Sequence, residues 1–219
     1  MFHPIVNSPC GVTLLGAGAV KPQDVDEALT IAPCLVAADG GGDHALALGL
    51  RPEAVIGDLD SLSQANRALL EGRVHLINEQ DSTDFAKCLR MIEAPFVLAL
   101  GFTGLRLDHT LAAMSDVIRS TQIVVMLAEA EVIIRCPPQI ALDLAPGTRI
   151  SLFPFGPATA RSTGLRWPLD GIAFAPDSRV GTSNEALGAV ELNVEGSALL
   201  MLPRESLGAV LNALGLNVG

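Results

Sequence analysis

Positive charge is scarce in this chain. Fourteen Lys and Arg face 24 Asp and Glu, for a net charge of −10, which argues against a nucleic-acid surface because such a surface needs a basic footprint. It does not argue against a phosphate ligand, since a metal ion reverses the local sign. The four cysteines (Cys10, Cys34, Cys88 and Cys136) lie far apart and form no CxxC. That spacing supports neither a zinc site nor a secreted disulfide framework and fits small buried thiols. No apolar run reaches the roughly 18 residues of a membrane helix. No Lys or Arg precedes Lys21, so no basic region introduces a signal peptide, and a cytoplasmic protein is expected. The histidines (His3, His44, His75 and His109) show no HxxxH spacing and no GxSxG elbow occurs, which counts against a zinc hydrolase or a triad enzyme. There is no tyrosine, and Trp167 is the only tryptophan.

What is present is apolar and ordered. Hydrophobic residues make up 49% and charged residues 17% of 219 positions, which argues against disorder and allows one large domain or two modest ones. Up to about residue 136 the stretches "VTLLGAG", "CLVAADG", "EAVIGD", "RVHLIN", "FVLALG" and "QIVVML" read as short buried strands. Helical patterns lie between several of them. "SQANRALLEG" offers Ser63 as N-cap and Gly72 beyond its end. "STDFAKCLRMIEA" spaces Phe85, Cys88, Leu89 and Ile92 for one apolar face, with Ser82 or Thr83 as cap. "RLDHTLAAMSDVIRS" does the same with Leu107, Leu111, Met114 and Ile118. This alternation predicts βαβ units and a mostly parallel, Rossmann-like sheet over residues 1–136. Beyond the tandem prolines Pro137 and Pro138, short apolar strands separated by turn residues predict an antiparallel β-sandwich or barrel over 137–219.

Ligands of an open parallel sheet gather beyond the carboxyl ends of its strands. Those ends deliver Asp39 with Gly40, Gly41 and Gly42, then Asp58 and Asp60, then Glu79, Gln80, Asp81 and Asp84, then Gly101, Gly104, Arg106 and Asp108. Any one Asp reads most simply as a cap or an Asx-turn. The glycine triplet reads as a turn needing φ > 0, and Asp84 with Lys87 reads as a surface i, i+3 pair. "GAGAV" near the start lacks the third glycine of GxGxxG. Taken together the carboxylates repel, and a divalent cation that prefers hard oxygen removes that cost. Mg²⁺ bound by carboxylates and substrate phosphates is the reading favoured over capping. In the C-terminal part, "STGLRWPL" and "GTSNE" leave two readings open. Trp167 is either a core residue or a face for a flat ring, and Ser183 and Asn184 are either turn residues or partners of a heterocycle.

These stretches resemble the thiamine pyrophosphokinase family over nearly the whole chain. The motifs that carry the resemblance, in order, are "ADGG" (Ala38 to Gly41), "IGDLDS" (Ile56 to Ser61), "TDFAKCL" (Thr83 to Leu89), "GLRLDHTLA" (Gly104 to Ala112), "STGLRWPL" (Ser162 to Leu169) and "GTSN" (Gly181 to Asn184). The resemblance implies an N-terminal α/β domain, a C-terminal β-sandwich, and a homodimer with active sites at the subunit interface. It implies transfer of a diphosphoryl group from ATP to thiamine, with Mg²⁺ on Asp58, Asp60 and Asp84. Asp39 and Asp108 would complete the acidic cluster, either one accepting the hydroxyl proton or orienting the substrate. Gly40, Gly41, Gln80, Thr83, Lys87 and Arg106 fall where the family handles ATP, and Trp167, Ser183 and Asn184 where it binds thiamine. The family's "ADGGANRL" reads "ADGGGDHAL" here, so Asp43 stands in place of an amide, and its Gly-Gly-Arg reads Gly104-Leu105-Arg106. The rival readings are a pyrophosphokinase acting on a pterin alcohol, a glycosyltransferase using the Asp-x-Asp, and a non-catalytic nucleotide or vitamin sensor.

Overall fold

The computed structural model describes residues 3–216. Two compact units divide between Ala128 and Glu129. The N-terminal unit runs β1 (Val6–Asn7), β2 (Val12–Leu15), α1 (Pro22–Ile31), β3 (Cys34–Ala38), α2 (Gly41–Ala47), β4 (Ala54–Gly57), α3 (Gln64–Leu69) and β5 (Val74–Leu76). It continues with α4 (Asp84–Met91), β6 (Ile92–Glu93), β7 (Val97–Leu100), α5 (Leu107–Arg119) and β8 (Val124–Leu127).

The main pairings of this unit are parallel. β7 lies between β2 and β8, with Leu14 opposite Ala99 and Leu98 opposite Val125. β4 lies between β3 and β5, and β2 runs beside β3. Every residue of β2, β4, β7 and β8 is buried, as expected of parallel strands covered on both faces. Fully buried Leu14, Leu15, Ile56 and Leu98 each contribute about 1.5–3 kcal/mol through the apolar surface they remove from water. Because the strands run the same way, the loops that follow β3, β4, β5 and β7 leave the sheet on one edge.

The local signals act largely as the sequence predicts. Ser63 caps α3 by accepting from the Asn66 amide, and Thr83, rather than Ser82, caps α4 by accepting from Ala86. Three expectations change. The "RVHLIN" stretch forms β5, which is not buried: among the described residues it pairs only with β4, Val74 and His75 are half-buried, and Leu76 is 55% exposed. The glycine triplet is not a positive-φ turn. Gly40 has φ −57° and Gly41 and Gly42 open α2. They are needed for close approach, since a Cβ on Gly41 would lie 2.1 Å from the Leu15 carbonyl oxygen. On α5 the buried face is Ala113, Asp116 and Val117, whereas Leu107 and Leu111 are 73% and 51% exposed. Small residues let α5 approach closely, and a polar one is accommodated by its own partners.

The C-terminal unit begins ahead of the tandem prolines. β9 (Glu131–Arg135) pairs antiparallel with β13 (Gly181–Pro203), Ile134 facing Leu200, and so belongs with it. β10 (Gln139–Leu142) pairs antiparallel with another stretch of β13. β12 (Ala173–Phe174) adds to β11 (Arg149–Leu165). Along β11 the partners in β13 fall as the residue number rises: Ser151 faces Met201, Phe153 faces Leu199 and Thr163 faces Glu191, an antiparallel register. Arg149 and Ile150 also face Glu185 and Asn184, so two stretches of β13 flank the start of β11. Alternate burial along β10 and at Val190, Leu192 and Val194 marks one packed face. A short 3-10 turn at Arg204–Ser206 leads into α6 (Leu207–Ala213), which buries Leu207, Val210 and Leu211. Among the described residues no helix is long and apolar enough to cross a membrane.

Candidate active site

A cavity of about 570 Å³ opens at the exit edge of the N-terminal sheet. Asp39, Asp58, Asp60 and Asp84 line it, along with Gly40, Thr83 and Arg106. One oxygen from each of Asp39, Asp58 and Asp60 falls within 4.8 Å of the others. Strained backbone accompanies this geometry. Asp39 (φ 44°) and Leu59 (φ 64°), which sits between Asp58 and Asp60, both adopt the left-handed conformation, as does Leu105 (φ 51°) before Arg106. Non-glycine residues rarely adopt it, and such strain concentrates at functional sites.

Asp39 is 6% exposed. Its Oδ2 accepts from the Ser61 amide at 3.2 Å, while its Oδ1 is buried without a hydrogen-bond partner. Burial pushes its carboxyl above the usual range, the Ser61 hydrogen bonds oppose this, and the charges of Asp84 and Asp60 add to it. A buried, unsatisfied carboxylate oxygen beside two further carboxylates is a donor set that fits a hard divalent cation.

Asp84 is engaged differently. Its Oδ1 accepts from the Asp58 amide at 3.2 Å and from Lys87 Nζ at 2.9 Å. Lys87 is 1% exposed and lies 3.5 Å from Asp58 Oδ2, so the surface-pair reading of Asp84 and Lys87 is corrected. Burial opposes the ammonium charge, but the hydrogen bond to Asp84 and the charges of Asp84 and Asp58 outweigh it and hold the Lys87 pKa above the ordinary lysine range. The lysine stands behind the carboxylates and is not among the residues lining the cavity.

Of the remaining N-terminal candidates, Gln80 and Arg106 adjoin this centre, whereas Asp108 neither joins the converging carboxylates nor lines the cavity. Gln80 Nε2 reaches Asp58 Oδ2 at 3.5 Å. Arg106 holds Asp108 through Nε at 3.2 Å and Nη2 at 2.6 Å, and both are exposed. The Arg106 hydrogen bonds keep the Asp108 carboxyl below the usual range. Gly41 is buried at the start of α2 and does not line the cavity. Asp43, the departure from the family pattern, points elsewhere. It accepts from the Ser63 amide, the Ser63 hydroxyl and Asn66 Nδ2, anchoring the start of α3.

Several lining residues escaped the sequence reading. Gly16, Ala17 and Gly18 form one wall, and a Cβ on Gly16 or Gly18 would lie 2.5 Å from the Gly101 carbonyl oxygen. "GAGAV" therefore matters through close backbone approach, which a dinucleotide fingerprint does not test. Phe102 also lines the cavity, its ring centroid 4.2 Å from that of Phe85.

In the C-terminal unit, Trp167, Ser183 and Asn184 come together. Asn184 clamps the Trp167 backbone, its Nδ2 donating to the Trp167 carbonyl at 2.7 Å and its Oδ1 accepting from the Trp167 amide at 3.2 Å. Trp167 is 53% exposed, so it is not a core residue, and the Arg166 guanidinium lies 5.0 Å from its ring centroid. Ser183 adopts φ 59° and donates its amide to Ser151 Oγ at 3.0 Å.

Two family models match the chain. Residues 25–127 match the catalytic domain of thiamin pyrophosphokinase, and residues 131–198 match the thiamin pyrophosphokinase vitamin B1 binding domain. The chain belongs to the thiamin pyrophosphokinase family. A rice protein (Oryza sativa subsp. japonica), thiamine pyrophosphokinase 1, is 26% identical over 155 residues, which span 61% of this chain and 59% of the rice protein. The fold is similar to that of the thiamin pyrophosphokinase from Candida albicans, with TM-score 0.75, 13% identity, and coverage of 90% of this chain and 92% of that one. It is also similar to the yeast thiamin pyrophosphokinase, with TM-score 0.74, 17% identity and coverage of 93% and 92%. The catalytic-domain match spans Asp39 through Asp108, and the B1-binding match spans Trp167, Ser183 and Asn184.

Proposed function

We propose that this protein transfers the diphosphoryl group of ATP to the hydroxyl of thiamine, giving thiamine diphosphate and AMP. The observation that carries this reading is the pairing, in one chain, of the two thiamin pyrophosphokinase domain matches. The strained carboxylate group at the sheet edge supplies the chemistry. The vitamin B1 binding match speaks against a pterin alcohol as acceptor.

In this reaction the thiamine hydroxyl oxygen bonds to the β-phosphorus as the α,β-bridging bond breaks, and AMP leaves with the bond electrons. Little covalent work falls to the protein, so positioning and charge neutralisation dominate. Asp39, Asp58 and Asp60 have the geometry to hold Mg²⁺, and Asp84 lines the cavity beside them. Bound there, Mg²⁺ would neutralise phosphate charge. Lys87 fixes Asp58 and Asp84 from below. Gln80 steadies Asp58, and Arg106 faces the cavity as a second cation for phosphate oxygens. Gly40 and the Gly16–Gly18 wall line the cavity where the nucleotide would lie, and Gly41 lets α2 start against the Leu15 carbonyl beneath that wall. The hydroxyl proton passes to the carboxylate cluster, while Asp108 serves to orient Arg106. Trp167, steadied by Asn184, offers its exposed face to the thiazolium or pyrimidine ring. The same reading includes a homodimer. Exposed Leu105, Leu107 and Leu111 supply an apolar surface suited to burial there.

Incubation with ATP, Mg²⁺ and thiamine, followed by chromatography, is expected to yield AMP and thiamine diphosphate in equal amounts. Turnover with a pterin alcohol but not with thiamine would overturn the acceptor, and no AMP with either would overturn the reaction.

A further inference from the structure

Asp116 lies on α5, nine-tenths and more buried at 3% exposure, and lies outside the six motifs that carry the family resemblance. Its Oδ2 accepts the hydroxyl proton of Thr83 and its Oδ1 accepts from Arg119 Nη2. Thr83 is the N-cap of α4, and its Oγ1 accepts from the Ala86 amide at 3.0 Å. The first turn of that helix carries Asp84 and Lys87, which fix each other and Asp58. Arg106 precedes α5 as its N-cap residue, and His109, Ala112 and Ala113 on α5 line the cavity. The Asp116–Thr83 bond therefore joins two walls of the site at the point where the carboxylates are set.

We infer that Asp116 is a positioning residue for the active site, acting through the Thr83 hydroxyl to fix the first turn of α4. A hydroxyl has one proton to give. Here that proton goes to Asp116, and one lone pair is taken by Ala86. Thr83 accordingly does not donate its hydroxyl to a phosphate oxygen; its contribution to nucleotide handling is the placement of Asp84 and Lys87. Burial explains why Asp116 is held. A carboxylate removed from water persists only with partners, and Thr83 and Arg119 supply them.

The inference rests on the proposed diphosphoryl transfer for its kinetic readout, so the test includes one measurement that does not. Thr83→Val keeps the shape of the side chain and removes the hydroxyl, Thr83→Ser keeps the hydroxyl, and Asp116→Ala removes the acceptor. Amide hydrogen exchange across Asp84 to Lys87 is expected to quicken in Thr83→Val and Asp116→Ala and to stay at the parent rate in Thr83→Ser. In the transfer assay, Thr83→Val and Asp116→Ala are each expected to lower kcat by about 10–100-fold, the usual effect of losing a partner behind a site residue. The double variant should be no slower than the slower single one, because both changes break one link. Thr83→Ser should keep kcat within about threefold of the parent. Losses that multiply in the double variant, or unchanged exchange in Thr83→Val, would overturn the inference. If Asp116→Ala does not fold, the Thr83 pair decides alone. If the parent makes no thiamine diphosphate, the exchange measurement still stands, and the functional reading alone has failed.

Discussion

Lys87 Nζ lies 2.9 Å from Asp84 Oδ1, three residues back on the same helix, with the lysine side chain 2% exposed and the aspartate side chain 28% exposed. The asymmetry sets what each residue is for. The carboxylate faces the cavity and can exchange partners, while the ammonium is sealed beneath and depends on it. Asp58 Oδ2, 3.5 Å from the same nitrogen, makes this one cation shared between two carboxylates.

Lys87→Met should therefore separate stability from activity. The two carboxylates left behind reach water, so the penalty for an uncompensated buried charge is small, and the desolvation of the ammonium is itself removed. We expect a melting temperature close to that of the parent. Turnover should fall by about 10²–10³-fold, because the fixed charge that sets Asp58 and Asp84 is lost. Thermal melts and steady-state rates check this, and a variant that melts far below the parent would show that Lys87 serves the core first.

The carboxylates divide into a group of three and one apart. Asp39, Asp58 and Asp60 converge, while Asp84 is turned to the Asp58 amide and Lys87. Removal of Mg²⁺ by a chelator should abolish transfer, and re-addition should restore it. Calorimetric titration with Mn²⁺ should show Asp39→Asn and Asp60→Asn weakening metal binding by about tenfold or more. Asp84→Asn should weaken it less. Equal weakening by Asp84→Asn would return Asp84 to the metal set that the family resemblance implies.

Much of this site was readable from the sequence because strand exits are. Unbroken apolar runs ending in Gly or Asp mark where a buried parallel strand meets solvent, and Asp39, Asp58 and Asp60 stand at such points, whereas Asp84 opens α4 after the partly exposed edge strand β5. What the pattern hid was depth. A lysine three residues from an aspartate on a helix reads as a surface pair, because sequence spacing gives distance along the helix and not burial. On α5 the apolar periodicity selected Leu107 and Leu111, which are exposed, while the face that packs is Ala113, Asp116 and Val117. Small residues and a partnered carboxylate carry little hydrophobic signal. The glycines of "GAGAV" needed the sheet itself, since the carbonyl they approach, that of Gly101, lies far along the chain.

Trp167 offers an optical test of the proposed thiamine site. It is the chain's only indole and is 53% exposed, so its emission should be that of a solvated tryptophan and open to acrylamide quenching. Thiamine should change that emission in a saturable way. Trp167→Ala should fold with a melting temperature near that of the parent and bind thiamine more weakly. Asn184→Ala leaves the indole in place but breaks both hydrogen bonds to its backbone and one to the Glu185 amide. It should cost about 1–3 kcal/mol of stability, the usual loss when buried groups lose their partner. Unchanged emission on addition of thiamine would remove Trp167 from the vitamin site.

Asp43 tests how far family pattern transfers to this chain. It stands where the family resemblance implies an amide beside the "ADGG" stretch, yet it takes hydrogen bonds from the Ser63 amide and hydroxyl and from Asn66 Nδ2. Its place is at the entry to α3, where a carboxylate satisfies amides that have no partner within the helix and favours the positive end of the dipole. Asp43→Ala should accordingly lower stability by about 1–2 kcal/mol, in line with loss of a helix cap, and leave the KM for ATP unchanged. Asp43→Asn, which keeps one acceptor oxygen, should recover part of that stability. Denaturant melts and nucleotide titrations measure the two effects separately. A raised KM at full stability would mean that Asp43 faces the nucleotide after all, and that its added charge tunes the phosphate site.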